Sequence, residues 1–81
     1  MYYLTANKTR LAAETLADLS AQFCLLRDSK GWTVRDVAKM PALRIWGGWP
    51  NRPMGRMSYN GRVWPDAEWQ PGMSPIYCPF A

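Results

Sequence analysis

The sequence predicts an α+β fold, in which a long N-terminal amphipathic helix and a short second helix pack on a small antiparallel sheet. Apolar residues recur with the helical period over residues 9–28, which indicates one long helix. All seven prolines and five of the six glycines lie at or after Pro41, so the second half of the chain favours strands and turns. Within that half, Asn60-Gly61 separates two β-prone runs and predicts a hairpin over residues 57–64.

The first segment, residues 1–5, is predicted to be extended. Tyr2 and Tyr3 favour strand over helix, because aromatic side chains fit a pleated surface. Two placements remain open. The segment is either a strand that pairs with a later part of the chain, or an arm that packs across the core.

The long helix predicted next has one apolar face and one polar face. Its apolar face consists of Ala12, Leu16, Leu19, Phe23 and Leu26. Asn7 or Thr9 can cap its beginning with a side-chain oxygen, and Gly31 can end it in the left-handed conformation. We expect the apolar face to lie on the sheet, with Val37 and Ile45 closing the core.

A second, short helix is predicted over residues 34–40. Thr33, followed three positions later by Asp36, is close to a capping box, and Pro41 ends the run. Trp32 precedes the cap, where an apolar residue often packs back on the first turns. A helix-turn-helix motif also begins with two helices and a short turn. That motif needs a further recognition helix, which the prolines and glycines after residue 40 prevent.

Short strands and a proline-rich tail are predicted for the remainder. Residues 43–46 alternate apolar and polar side chains, as a half-buried strand does. Asn60-Gly61 suits a two-residue type I′ turn, because both central residues of that turn take positive φ. Four prolines follow from position 65 onward and exclude a continued helix or a central strand. Residues 66–69 could form a single helical turn behind Pro65. Residues 74–80 are predicted to be an extended tail that Ile76, Tyr77 and Phe80 hold against the body.

Composition indicates one small cytoplasmic domain, residues 1–81. The apolar content of 48% is ordinary for a folded protein, and 81 residues are too few for two independent cores. We expect a complete protein without membrane contact, because no apolar run reaches the length of a membrane span and the N-terminus lacks a signal peptide. Cys24 and Cys78 are expected to be thiols in a reducing compartment. The alternative is a disulfide that joins the tail to the long helix.

The groups that most enzymes use are missing from the sequence. The chain has no histidine, which removes the commonest acid–base group and metal ligand. No phosphate-binding loop, dinucleotide fingerprint or Cys/His metal spacing occurs. We therefore expect no enzyme, no cofactor and no metal site.

The segment 35–64 is the candidate contact surface. It contains six basic residues against the single acid Asp36, with aromatic side chains interleaved. Guanidinium groups beside flat rings suit phosphate contact and base stacking, and Trp, Tyr and Arg also dominate protein–protein hot spots. The alternative is that the tryptophans form core, with arginine stems lying across their rings. The predicted contact residues are Trp46, Trp49, Arg52, Arg56, Arg62 and Trp64.

The preferred hypothesis is a small non-enzymatic binding protein that docks on a larger protein or protein complex as an inhibitor or regulator. In size and charge it is similar to the small inhibitors encoded by phages and mobile elements, an analogy that rests on no motif. Leu25, on the polar side of the predicted helix, is a further candidate contact. The alternative is direct binding of DNA or RNA by segment 35–64, for which a net charge of +4 is modest.

Overall fold

The structure, a computed structural model, describes residues 1–41, 43–47, 52–66 and 70–79. In these ranges the predicted α+β class is confirmed: two helices accompany one antiparallel sheet of five strands. The elements in chain order are β1 (Tyr2–Ala6), β2 (Thr9–Ala13), α1 (Leu16–Lys30), α2 (Val34–Lys39), β3 (Arg44–Gly47), β4 (Arg52–Met57) and β5 (Val63–Pro65). The strands lie side by side in the order β2-β1-β3-β4-β5.

A β-hairpin replaces the beginning of the predicted long helix. Residues 9–13 are strand β2, which pairs with β1 and places Leu11 opposite Leu4. Asn7 and Lys8 form the two-residue turn between the strands, with φ angles of 46° and 76°. The prediction of a helix from residue 9 is wrong because helix propensity is a weak preference, which tertiary pairing overrides.

Helix α1 consequently begins at Leu16 and has 15 residues, shorter than predicted. Thr15 is its N-cap, in place of the two caps predicted upstream, and Thr15 Oγ1 accepts a hydrogen bond from the Asp18 N–H at 3.1 Å. The end of the helix is confirmed. Gly31 takes a φ of 68°, and its N–H donates to carbonyls of the last turn.

The core lies between α1 and the inner face of the sheet. Leu19 and Phe23 are fully buried there, whereas Leu25 is 70% exposed, so the predicted helical phase is confirmed. Half-buried Leu16 and Leu26 pack at the margin. The buried apolar residues are Leu4, Ala6, Ala13, Leu19, Phe23, Leu43, Ile45, Met57 and Val63.

Helix α2 and strand β3 lie where the sequence predicts them. Thr33 and Asp36 form a reciprocal capping box: the Asp36 N–H donates to Thr33 Oγ1 at 3.3 Å, and the Thr33 N–H donates to Asp36 Oδ2 at 2.8 Å. Met40 is the C-cap of α2 rather than its last helical residue. β3 pairs with the free edge of β1, so the strand placement of residues 1–5 is also confirmed.

The hairpin of β4 and β5 is confirmed, but its turn differs from the predicted type. Gly61 has a φ of 87°, whereas Asn60 does not take positive φ. The Ser58 N–H donates to the Arg62 carbonyl at 2.9 Å, and the Gly61 N–H donates to the Ser58 carbonyl at 3.0 Å. These bonds define a three-residue loop, 59–61, with glycine at its left-handed position. Asn60 contributes its side chain instead: Oδ1 accepts from Ser58 Oγ at 2.6 Å.

Helix α1 holds this loop in place and thereby favours its longer form. Buried Ser20 donates from Oγ to the Gly61 carbonyl at 2.7 Å. Arg27 donates from Nη1 to the Tyr59 carbonyl at 2.7 Å, and its guanidinium carbon lies 5.0 Å from the centroid of the Tyr59 ring. A hydrogen bond to Asp28 raises the pKa of Arg27 above its ordinary value.

Of the predicted extended tail, residues 74–80, the structure describes residues 74–79, which form no strand and follow a turn. The Met73 N–H donates to the Gln70 carbonyl at 3.1 Å in a turn that contains Gly72 at a φ of 86°. Tyr77 then returns to the sheet and forms an isolated antiparallel bridge with Val63 of β5. This stretch therefore reverses direction and contacts the last strand.

Candidate binding surface

The side of the sheet that points away from α1, here called the outer face, is the candidate binding surface. Successive side chains of a strand point to opposite sides, so every second strand residue lies on this face. In β4 the register shifts opposite Ile45 and Trp46, so that Pro53 and Arg56, three positions apart, both lie on it. Its members among the described strand residues are Tyr3, Thr5, Arg10, Ala12, Arg44, Trp46, Pro53, Arg56 and Trp64. Three of them are arginines, three are aromatic and none is acidic.

Tyr3 and Trp46 form an aromatic pair in the middle of the outer face. They are directly opposite each other on β1 and β3, where neighbouring strands lie roughly 4.8 Å apart. Trp46 is 39% exposed, and Tyr3 is half-buried. The Arg10 guanidinium carbon lies 4.8 Å from the centroid of the Tyr3 ring, a cation–π contact. The pair offers a flat apolar surface with a cation beside it.

Arg44 and Arg56 are directly opposite each other on β3 and β4. Like charges in this position destabilise a sheet. Asp66, just after β5, offsets part of the repulsion, since its Oδ1 lies 3.3 Å from Arg44 Nε. Trp64 is the residue opposite Arg56 on β5. Two arginines therefore lie side by side on the outer face, of which Arg44 is exposed and Arg56 is half-buried.

A groove with a volume of about 610 Å³ opens on this face near the β1–β2 turn; we call it the cationic groove. Its charged residues are Lys8, Arg10 and Arg44, and no acid occurs among the described residues that line it. Tyr3 and Trp46 also line it. The cationic groove therefore combines positive charge with aromatic surface.

The structure brings together half of the predicted contact residues. Those on the outer face are Trp46, Arg56 and Trp64. Arg52 is exposed, but it pairs with Gly47 and so points to the other side of the sheet from Trp46. Arg62 is half-buried beside the hairpin loop. Trp49 lies outside the described residues.

Tyr3, Arg10 and Arg44 lie on the outer face but are not among the contact residues that the sequence predicts. For Arg44 the signal was present, because it is two positions from Trp46 in a segment that alternates apolar and polar residues. Tyr3 lies in the segment predicted to be extended, and it faces the side opposite to the adjacent Leu4, which is buried. Arg10 could not be found in this way, because its segment was assigned to a helix.

The described residues show no further candidate chemistry. No group of three or more histidine, cysteine or carboxylate side chains is arranged to hold a metal ion in the described ranges. Cys24 and Cys78 are both thiols. Neither helix in this part of the chain has the length and apolar character needed to cross a bilayer.

Comparisons of the chain with protein-family models, with curated proteins and with solved structures found no match. A function therefore has to be inferred from the outer face and the grooves beside it.

Proposed function

We propose that this chain is a non-enzymatic cytoplasmic protein that binds single-stranded nucleic acid through the outer face of its sheet. The observation that supports this function is the Arg44–Arg56 pair, which is exposed at Arg44, half-buried at Arg56 and flanked on the outer face by Trp46 and Trp64. Arginines neutralise phosphates, and aromatic rings stack on bases with little regard to sequence. The outer face carries both kinds of side chain that binding of a single strand requires, arginines for the phosphates and aromatic rings for the bases.

A single strand fits this surface better than a duplex. In a duplex the flat faces of the bases are stacked on one another, so aromatic side chains cannot reach them. Reading a duplex groove usually requires a helix or a β-ribbon that enters it. Helix α2 has six residues, and the aromatic rings of the outer face belong to an open five-stranded sheet.

Docking on a larger protein, as an inhibitor or regulator, is the second candidate. Leu25 on α1, 70% exposed, would be an apolar contact for such a partner. The outer face would also suit an acidic protein surface. We place this candidate second because three arginines on one face suit an anion with repeated charges.

The function is tested with Trp46→Ala and a matched control, Leu25→Ala, which also truncates an exposed apolar side chain but lies on α1. Binding of a labelled 12-nucleotide DNA or RNA strand is measured by fluorescence anisotropy at low salt. We expect Trp46→Ala to weaken binding by about tenfold, since stacking on one base contributes on the order of 1–3 kcal/mol. Leu25→Ala should bind as the parent does.

Three outcomes would count against single-strand binding. These are no binding of either strand at micromolar protein, equal loss in both variants, and a duplex that binds more tightly than its separate strands. The second candidate is then tested by using the purified protein to capture protein partners from a nuclease-treated extract of the source cell. A protein partner that is lost with Leu25→Ala would support docking on a protein.

A further inference from the structure

A second groove, with a volume of about 390 Å³, lies between α2 and the end of the sheet formed by β4 and β5; we call it the apolar groove. Among the described residues, its apolar lining consists of Val37, Ala38, Met40, Pro41, Leu43, Met57, Trp64 and Met73. Its volume is within the range of pockets that take small molecules. Methionine side chains are flexible and polarisable, so such a lining adapts to a flat ligand.

The apolar groove is continuous with the outer face. Arg56 and Trp64, which pair across β4 and β5, belong to the outer face and also line this groove. Arg56 and Ser58 are the polar residues of its lining. If a phosphate of a bound nucleic-acid strand contacts Arg56, the adjoining base therefore lies within reach of the apolar groove.

We propose that the apolar groove receives one base of the strand that binds the outer face, an inference that rests on the proposed function. A base has apolar faces, which the thioethers and the Trp64 ring can cover, and a polar edge. Ser58 can meet that edge: its Oγ donates to Asn60 Oδ1 at 2.6 Å, and a hydroxyl oxygen has a further lone pair to accept an N–H. The base is held in the groove, whereas bases on Tyr3 and Trp46 stack on an open surface.

The test begins with the shortest strand that retains full affinity, so that the strand has a single register on the protein. Each nucleotide is replaced in turn by an abasic one. We expect one position to weaken binding by about tenfold more than its neighbours do. The Ala38→Phe variant adds a ring to the lining of the apolar groove from α2. With this variant, the abasic replacement at that nucleotide should weaken binding no more than the replacements at its neighbours do. Ala21→Phe is the matched control, because Ala21 is also an exposed alanine on a helix but lines neither groove.

Methionine methyl NMR provides a second readout that does not depend on affinity. The ring current of a bound base should shift the methyl signals of Met40 and Met73, both half-buried in the lining. Met1, 59% exposed and outside both grooves, serves as the internal reference. The strand with the critical abasic position should leave the two groove signals unshifted.

The outcomes separate this inference from the proposed function. Uniform abasic effects together with unshifted groove methyl signals would overturn the base site and leave single-strand binding intact. Absence of binding by any strand would remove both. If the abasic replacement at the critical nucleotide weakens binding to Ala38→Phe as much as it weakens binding to the parent, the base is held elsewhere.

Discussion

Gly61 is the residue at which the second hairpin meets α1, and its backbone cannot accept a side chain without cost. Its φ is 87°, and an added Cβ would lie 2.8 Å from Ser20 Oγ and 2.9 Å from Cys24 Sγ. Left-handed backbone costs a residue with a Cβ about 1–2 kcal/mol. We expect Gly61→Ala to lower the free energy of unfolding by about 2–4 kcal/mol, since displacing the two helix side chains adds a similar amount.

Gly72→Ala is the control for this prediction. Gly72 has nearly the same φ, 86°, but nothing lies within 4 Å of an added Cβ. Its replacement should cost only the backbone strain. Urea denaturation of both variants measures the difference, and equal losses would mean that the loop is not docked on α1.

At the scale of the element, the β1–β2 turn is strained at Lys8. A φ of 76° favours glycine at this second turn position, where Asn-Gly is the preferred pair. Lys8→Gly relieves the strain, and the greater freedom of glycine in the unfolded chain removes part of the gain. We expect a net stabilisation of about 0.5–1 kcal/mol in thermal or urea unfolding. The affinity for single-stranded nucleic acid should fall at the same time, because Lys8 lines the cationic groove.

Lys8→Ala separates the two effects. This variant removes the same charge and keeps the strained backbone. Its affinity for single-stranded nucleic acid should therefore fall as much as that of Lys8→Gly, while its stability should not rise. If the free energy of unfolding of Lys8→Gly is no higher than that of Lys8→Ala, the turn does not have positive φ at this position.

At the scale of the whole molecule, the proposed function predicts a dependence on salt. Among the described residues, four cations lie on the outer face or line its cationic groove: Lys8, Arg10, Arg44 and Arg56. A single strand loses affinity with a log–log slope of roughly −0.7 for each phosphate neutralised, so the slope should be roughly −2 to −3. Arg10→Ala should make it shallower by about 0.7. Titrations between low and moderate salt measure the slope.

Arg35→Ala is the matched control, because Arg35 is exposed on α2 and lines neither the cationic nor the apolar groove. It should leave the slope close to that of the parent. A slope near zero in the parent protein would contradict phosphate contact, whatever the effect of Trp46→Ala.

The sequence alone predicted those features that depend on residues a few positions apart. The capping box of Thr33 and Asp36, the stop at Gly31 and the buried phase of Leu19 and Phe23 are all confirmed. Each depends on contacts within one or two helical turns. The β4–β5 hairpin was predicted for the same reason, because its strands are adjacent in the chain.

Tertiary structure decided the rest. Residues 9–13 have a helical pattern, yet they form a strand because β1 offers a partner for their backbone. The second hairpin has a three-residue loop because Ser20 and Arg27 of α1 bind its carbonyls. The outer face combines Arg10 from the first hairpin with Arg56 from the second through the strand order β2-β1-β3-β4-β5. Strand order depends on pairing between segments that are distant in the chain, which local periodicity and capping signals do not specify.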